Sequence, residues 1–253
     1  MKPLILISND DGVDSPGLHH LAHVASEFGD VVVVAPDHNA SGLGASITCL
    51  QPLRCKLVDA SENVSYYACN GTPVDCVMLG KEHVCSRRPD LILSGINYGS
   101  NASINVMYSG TMGAVIQGCL DGCQSIGFSL LNHRPDADFA ACTKIIQHII
   151  SQVLAHPLPI GTGLNVNIPR LPANEIKGIR VCRQAHAQWL NNHEQRIDPV
   201  GKPYWWLTGK FVCDDKDGDT DQYWLEQGYV SVVPIRPDLT DYQQLNNLNN
   251  LQL

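Results

Sequence analysis

The residues with the clearest chemical potential stand where an aliphatic run stops: Leu4-Ile5-Leu6-Ile7-Ser8 is followed at once by Asn9-Asp10-Asp11-Gly12. On a continuing strand the two carboxylates would point to opposite faces, so both serve one site only if the chain turns there, and Gly12 permits that turn. Two carboxylates held close repel each other, and with no Lys or Arg nearby in sequence a divalent cation is the economical partner. Read alone, Asp-Asp-Gly fits a helix-capping Asp beside a solvated one equally well, because so short a motif recurs by chance.

Further oxygen donors follow similar strand exits. Val31 to Ala35 empties into Pro36-Asp37-His38-Asn39-Ala40-Ser41-Gly42, and Leu91-Ile92-Leu93-Ser94 empties into Gly95-Ile96-Asn97-Tyr98-Gly99. Asp10, Asp11, Ser41 and Asn97 form an all-oxygen set suited to Mg²⁺ or Mn²⁺, whereas zinc would recruit His or Cys. Asn9, the turn from Gly95 to Gly99 and a helix beginning near Ser109-Gly110-Thr111 could donate hydrogen bonds to an anion. A metal beside an anion nest points to phosphoryl chemistry. Each residue also has a plainer role: Ser109 and Thr111 as helix caps, Asn97 as a turn residue, Ser41 as a loop hydroxyl.

Positioning these groups requires a parallel sheet with helices on both faces, because its strands read as unbroken apolar runs. Ser15-Pro16 and Thr72-Pro73 are helix starts, with proline at the first helical position. Met112 to Leu120 predicts another helix, Val64 to Ala68 and Ser125 to Leu131 predict strands, and Phe139, Cys142, Ile146, Ile149 and Val153 mark a long amphipathic helix. Leu164 to Pro169 closes the regular part. The expectation is a Rossmann-like α/β three-layer core over 1–180 and a C-terminal extension over 181–253, within what could be one domain. The extension holds all four tryptophans among turn residues, which predicts hairpins. The tryptophans suit a contact surface or a satellite core equally. Asp241 to Leu253 is expected to form a terminal helix docking on a partner.

Composition narrows the function classes. With 253 residues, 44% hydrophobic and 17% charged, the chain has enough apolar matter for a sizeable core. A net charge of −8 argues against sequence-independent binding to nucleic acid or an anionic membrane. No apolar stretch approaches membrane-spanning length. The ten cysteines lack C-x-x-C spacing, which favours free thiols in a reducing cytoplasm. A strand starting directly after Pro3 leaves no signal peptide to expect. A nicotinamide enzyme would need G-x-G-x-x-G after the first strand, and Asn-Asp-Asp-Gly stands there instead. Gly42-Leu43-Gly44 is in the wrong place to replace it. A metal-binding regulatory module without turnover uses the same residue types and stays open on the residues alone. His19, His20, His83, His133, His148 and His186 read as surface or packing residues.

Seven ordered blocks carry a resemblance: Asn9-Asp10-Asp11-Gly12; Ala35-Pro36-Asp37 with Ser41-Gly42; Asn70-Gly71-Thr72-Pro73; Ser94-Gly95-Ile96-Asn97; Tyr108-Ser109-Gly110-Thr111; Asn165-Val166-Asn167-Ile168-Pro169; and Gly228-Tyr229-Val230-Ser231-Val232. Their order resembles the SurE (survival protein E) family of metal-dependent 5′/3′-nucleotidases. That resemblance implies hydrolysis of nucleoside monophosphates, one divalent metal held at Asp10, Asp11, Ser41 and Asn97, and an extension exchanged between subunits of a homodimer or homotetramer. Two departures stand out. His38 replaces a residue that is basic in many relatives, and Trp224 replaces one that is commonly small.

Overall fold

The computed structural model describes residues 2–134 and 136–249. Along the chain run β1 (Leu4–Ser8), α1 (Pro16–Ala25), β2 (Asp30–Pro36), β3 (Cys55–Ala60), β4 (Val64–Cys69) and α2 (Pro73–Leu79). Then come β5 (Leu91–Tyr98), α3 (Gly110–Leu120), β6 (Gln124–Leu130), α4 (Thr143–Ala155) and β7 (Gly163–Ile168). The last third holds β8 (Ile179–Val181), β9 (Ala187–Ile197), β10 (Pro203–Cys213), α5 (Asp221–Glu226), β11 (Val230–Ile235) and α6 (Leu245–Asn249).

Among the described residues one sheet has nine strands in the order β3-β4-β2-β1-β5-β6-β7-β11-β8. From β4 to β7 every neighbouring pair is parallel. Only β3 against β4 and β11 against β7 are antiparallel. Strand order reverses at β1, whose neighbours are β2 and β5. Open α/β sheets bind ligands just outside such a reversal.

The aliphatic runs earn their burial on both faces through the two-residue period of a strand. Ile5, Ile7, Val33 and Leu93 join one core cluster with Leu18 and Leu21 of α1 and Ile146 and Ile150 of α4. Leu6, Val34 and Ile92 join the opposite cluster with Cys76 and Val77 of α2 and Ala114 of α3. The result is the expected helix, sheet, helix sandwich. Helix starts follow the prolines: α1 begins at Pro16, and α2 begins at Pro73 under a capping box between Thr72 and Asp75. The long helix expected after Phe139 is a 3₁₀ turn, Ala140–Cys142, running into α4.

Beyond residue 180 the chain does two things. β11 returns to the main sheet between β7 and β8, a placement the aromatic and turn content of this stretch did not signal. β9 and β10 form a separate antiparallel hairpin, as expected, with Ala187 opposite Cys213 and Ile197 opposite Pro203. The tryptophans divide into an exposed group and one that is packed. Trp189, Trp205 and Trp206 lie exposed on the hairpin, while Trp224 packs edge-on between Tyr223 and Tyr229 with the Arg180 guanidinium over it. The expected terminal helix appears as α6, and residues 250–253 lie outside the described ones. All ten cysteines are free thiols, and no described helix is long and apolar enough to cross a membrane.

Candidate active site

The turn after β1 is built by a side chain. Asn9 is fully buried, its Nδ2 donates to the Gly12 carbonyl at 3.1 Å, and its Oδ1 accepts the Gly12 N–H at 3.2 Å. Asn9 therefore holds the turn that carries Asp10 and Asp11. The Ala40 N–H donates to the Asp10 carbonyl at 2.7 Å, fastening the β2 exit loop to the β1 exit. Ser41 follows, its N–H held by Asn39 Oδ1 at 2.9 Å. From the other neighbour of β1, Asn97 donates Nδ2 to the Gly99 carbonyl at 3.1 Å and to Asn101 Oδ1 at 3.5 Å. Its own Oδ1 accepts no hydrogen bond among the described residues.

Asp10 sits at the start of α3. Thr111 Oγ1 donates to its Oδ1 at 2.6 Å. A Cβ at position 110 would lie 2.8 Å from the Asp10 Cβ, so only glycine lets the helix come this near. Burial pushes the Asp10 carboxyl up, and the Thr111 hydroxyl with the Gly110 and Thr111 N–H groups partly offsets it. Thr111 thus spends its hydroxyl on Asp10 and not on a phosphate. Ser109 caps α3 by accepting the Met112 N–H at 3.0 Å and keeps its own O–H to donate. Gly95 is a packing position: a Cβ there would lie 2.3 Å from the Phe128 carbonyl oxygen of β6.

Asp11 is raised to about 7, by burial first and the neighbouring Asp10 second. Its Oδ2 is buried with no hydrogen-bond partner. Such an atom is costly unless something positive meets it.

Asp10, Ser41, Asn97 and Ser109 line one cleft of about 420 Å³. Asp11 lines an adjoining hollow of about 360 Å³, and Tyr98 and His133 belong to both. Among the described residues no Lys or Arg lines either one. The residues present fit a hard cation: carboxylate, amide and hydroxyl oxygens, one of them buried and unpartnered, around two adjoining hollows with neither Lys nor Arg among the described lining residues. Among the described residues no three His, Cys, Asp or Glu cluster as a metal site.

Behind the cleft lies a buried amide network that motif reading passed over. The Asn101 N–H donates to Asn167 Oδ1, Asn167 Nδ2 to Asn165 Oδ1 and Asn165 Nδ2 to the Asn101 carbonyl, all at 2.8 to 2.9 Å. Asn101 Nδ2 donates to Ser129 Oγ at 2.8 Å. The end of β5 that carries Asn97, with the loop after it, is thereby locked to β6 and β7. On the opposite rim Asp221 accepts the Ser103, Ala185 and Gln222 N–H groups at 2.7 to 2.9 Å, tying the 3₁₀ turn Ser103–Met107 to the segment that leads into the hairpin. His133, expected on the surface or in packing, lies in the cleft wall, and Asn105 and Trp189 join it there from distant segments. His38 pairs with Asp37 at 2.8 Å at an exposed position.

The fold and site define a Rossmann-like α/β protein with paired carboxylates at the switch point of its sheet. The family described as survival protein SurE matches residues 5–191, and the chain belongs to that family. It is 50% identical to the 5′-nucleotidase SurE of Christiangramia forsetii, covering 100% of this chain and 98% of the relative. To the 5′-nucleotidase SurE of Cytophaga hutchinsonii it is 49% identical over 98% of this chain and 96% of the relative. The crystal structure of the SurE protein from Aquifex aeolicus superposes with a TM-score of 0.84 at 39% identity, covering 99% of this chain and 100% of that one.

Proposed function

We propose that this chain is a 5′-nucleotidase that hydrolyses nucleoside monophosphates to nucleoside and phosphate, and that it also accepts 3′-nucleotides. It uses one divalent cation per subunit, Mg²⁺ or Mn²⁺, held by Asp10, Asp11, Ser41 and Asn97. The observation that carries this reading is the buried, unpartnered Asp11 Oδ2 next to Asp10, the two lining adjoining hollows that have neither Lys nor Arg among their described lining residues. Full-length relatives named as 5′-nucleotidases support the substrate class. When bound, the cation would screen the phosphate charge and polarise its P–O bonds.

The chain's own groups supply the rest. Asp10, oriented by Thr111, positions a water in line with the ester bond and takes its proton as the water oxygen bonds to phosphorus. The ester P–O bond breaks, and the leaving nucleoside oxygen is protonated from solvent. The Ser109 hydroxyl, which capping α3 leaves free to donate, holds a phosphate oxygen. Free thiols throughout suit a cytoplasmic protein. The exposed hairpin suits assembly as a homodimer or homotetramer.

The test is a panel of phosphate esters assayed with Mg²⁺, with Mn²⁺ and with chelator, alongside Asp10→Asn and Asp11→Asn. Metal-stimulated phosphate release from nucleoside monophosphates, lost in both variants while circular dichroism is unchanged, is the expected result. Metal binding without turnover of any ester would overturn it. A trapped phosphoryl-Asp10 adduct would replace direct attack by water with a covalent route.

A further inference from the structure

Beside the carboxylate cleft lies a larger cavity of about 650 Å³, lined by Asn105, Tyr108, Trp189, Leu207, Thr208 and Gly209. Asn105, Tyr108 and Trp189 also line the cleft that holds Asp10, Ser41 and Asn97, so one ligand can extend from either space into the other. Their chemistry differs. The cleft presents carboxylate, hydroxyl and amide oxygens, whereas the cavity presents two aromatic rings and a leucine around one amide side chain and Thr208, whose hydroxyl donates to the Asn192 carbonyl.

Trp189 is held in place. Its Nε1 donates to Asn105 Oδ1 at 2.8 Å, and Phe211 meets it edge-on with ring centroids 5.6 Å apart. Even so, 41% of Trp189 and 56% of Tyr108 stay exposed. An ordered but uncovered aromatic pair next to a polar cleft contributes little to a core and is suited to binding. Because the indole uses Asn105 Oδ1, the Nδ2 of that residue has no acceptor among the described residues and is left to donate to a ligand.

We propose that this cavity receives the base of a nucleotide whose phosphate lies in the Asp10 cleft. Trp189 and Tyr108 stack on the base, and Asn105 Nδ2 donates to a ring nitrogen or carbonyl on its edge. The inference rests on the nucleotidase reading for the phosphate end and adds the base end. Stacking is tolerant of base identity because every base has a π-face. With one amide to read the edge, the site accepts purine and pyrimidine nucleotides and discriminates against phosphates that carry no base.

The experiment compares kcat/KM for adenosine 5′-monophosphate with that for ribose 5-phosphate in the wild type, Trp189→Ala, Tyr108→Ala and Trp189→Phe. It also measures adenosine binding by titration calorimetry in each. The ratio of the two kcat/KM values should fall about tenfold or more in the alanine variants, the scale of one base stack. It should largely survive in Trp189→Phe, and adenosine binding should weaken in parallel. An unchanged ratio in Trp189→Ala overturns the proposal, and so does an equal loss on both esters, which would make Trp189 merely structural. If the wild type hydrolyses neither ester, the nucleotidase reading fails, while Trp189-dependent adenosine binding would still uphold the base site and its absence would overturn it.

Discussion

Asp11 Oδ2 is buried beside a second carboxylate and meets no donor, so the cation-free protein carries a local liability whose sign can be worked out. The folded carboxyl is raised to about 7 from an ordinary 3.8. A raised carboxyl contributes stability that is complete below the unfolded value, declines between about pH 4 and 7, and is gone above 7. In chelator, Asp11→Asn should therefore melt higher than the wild type at pH 8, with the gap closing toward pH 4. For a chain of this size each kcal/mol moves the midpoint by about 2–4 °C. Adding Mn²⁺ at pH 8 should reverse the order, since only the wild type retains both carboxylates. Equal melting points at pH 8 in chelator would contradict the account.

Thr111 gives a second prediction of this kind. Its hydroxyl donates to Asp10 at 2.6 Å, and a hydrogen bond to a charged group contributes roughly 1.5–3 kcal/mol. Thr111→Val keeps the shape and should lower kcat about 10-fold to 100-fold with little change in fold. Thr111→Ser should recover most of that loss. Unaltered turnover in Thr111→Val would show that Asp10 needs no such support.

Among the elements, the end of β5 and the loop after it are the part whose position depends most on remote groups. Asn97 leans on Asn101, which is fixed by Ser129 of β6 and by Asn165 and Asn167 of β7. Removing one member of a fully satisfied buried network strands its partners, at about 1–3 kcal/mol for each unsatisfied group. Asn167→Ala should lose stability on that scale in urea denaturation and should also weaken Mn²⁺ binding, although it touches no proposed ligand. Lost stability with unchanged Mn²⁺ affinity would separate the network from the site. Local signals made much of this scaffold readable in advance. The buried strands are continuous aliphatic runs, the helix starts carry proline at the first position, and Asp10 and Asp11 stand at an abrupt change from apolar to polar. The amide network was not readable, because the hydrogen bonds that tie Asn101 to Asn165 and Asn167 join residues more than sixty positions apart and isolated asparagines look like turn residues. For Thr111 and Asn9 the residue types suit anion binding, and only coordinates reveal that the Thr111 hydroxyl donates to Asp10 and that the Asn9 amide braces the turn at Gly12.

Across the whole molecule, the hairpin of β9 and β10 is the feature that a single chain leaves unfinished. Trp205, Trp206 and Leu207 are each more than half exposed on one strand, and an apolar strand of this kind invites a partner. Light scattering at micromolar concentration should give two or four times the chain mass, and Trp205→Ser with Trp206→Ser should lower it to one. A wild-type monomer would contradict this. The hairpin was legible as a hairpin from its turns and aromatics. The return of β11 into the main sheet was not, since a short apolar strand carries no label for which neighbour it will pair with.

The core of the account is that oxygens converging from both sides of β1 grip one divalent cation and that phosphate release depends on it. Titrating Mn²⁺ into chelator-stripped protein, with bound metal read by electron paramagnetic resonance and phosphate released from adenosine 5′-monophosphate read in the same samples, tests this directly. The account predicts one tight site per chain, with hydrolysis rising in proportion to its occupancy and both signals lost in Asp11→Asn. Hydrolysis that continues undiminished in the stripped protein, or a tight site that persists in Asp11→Asn, would contradict it.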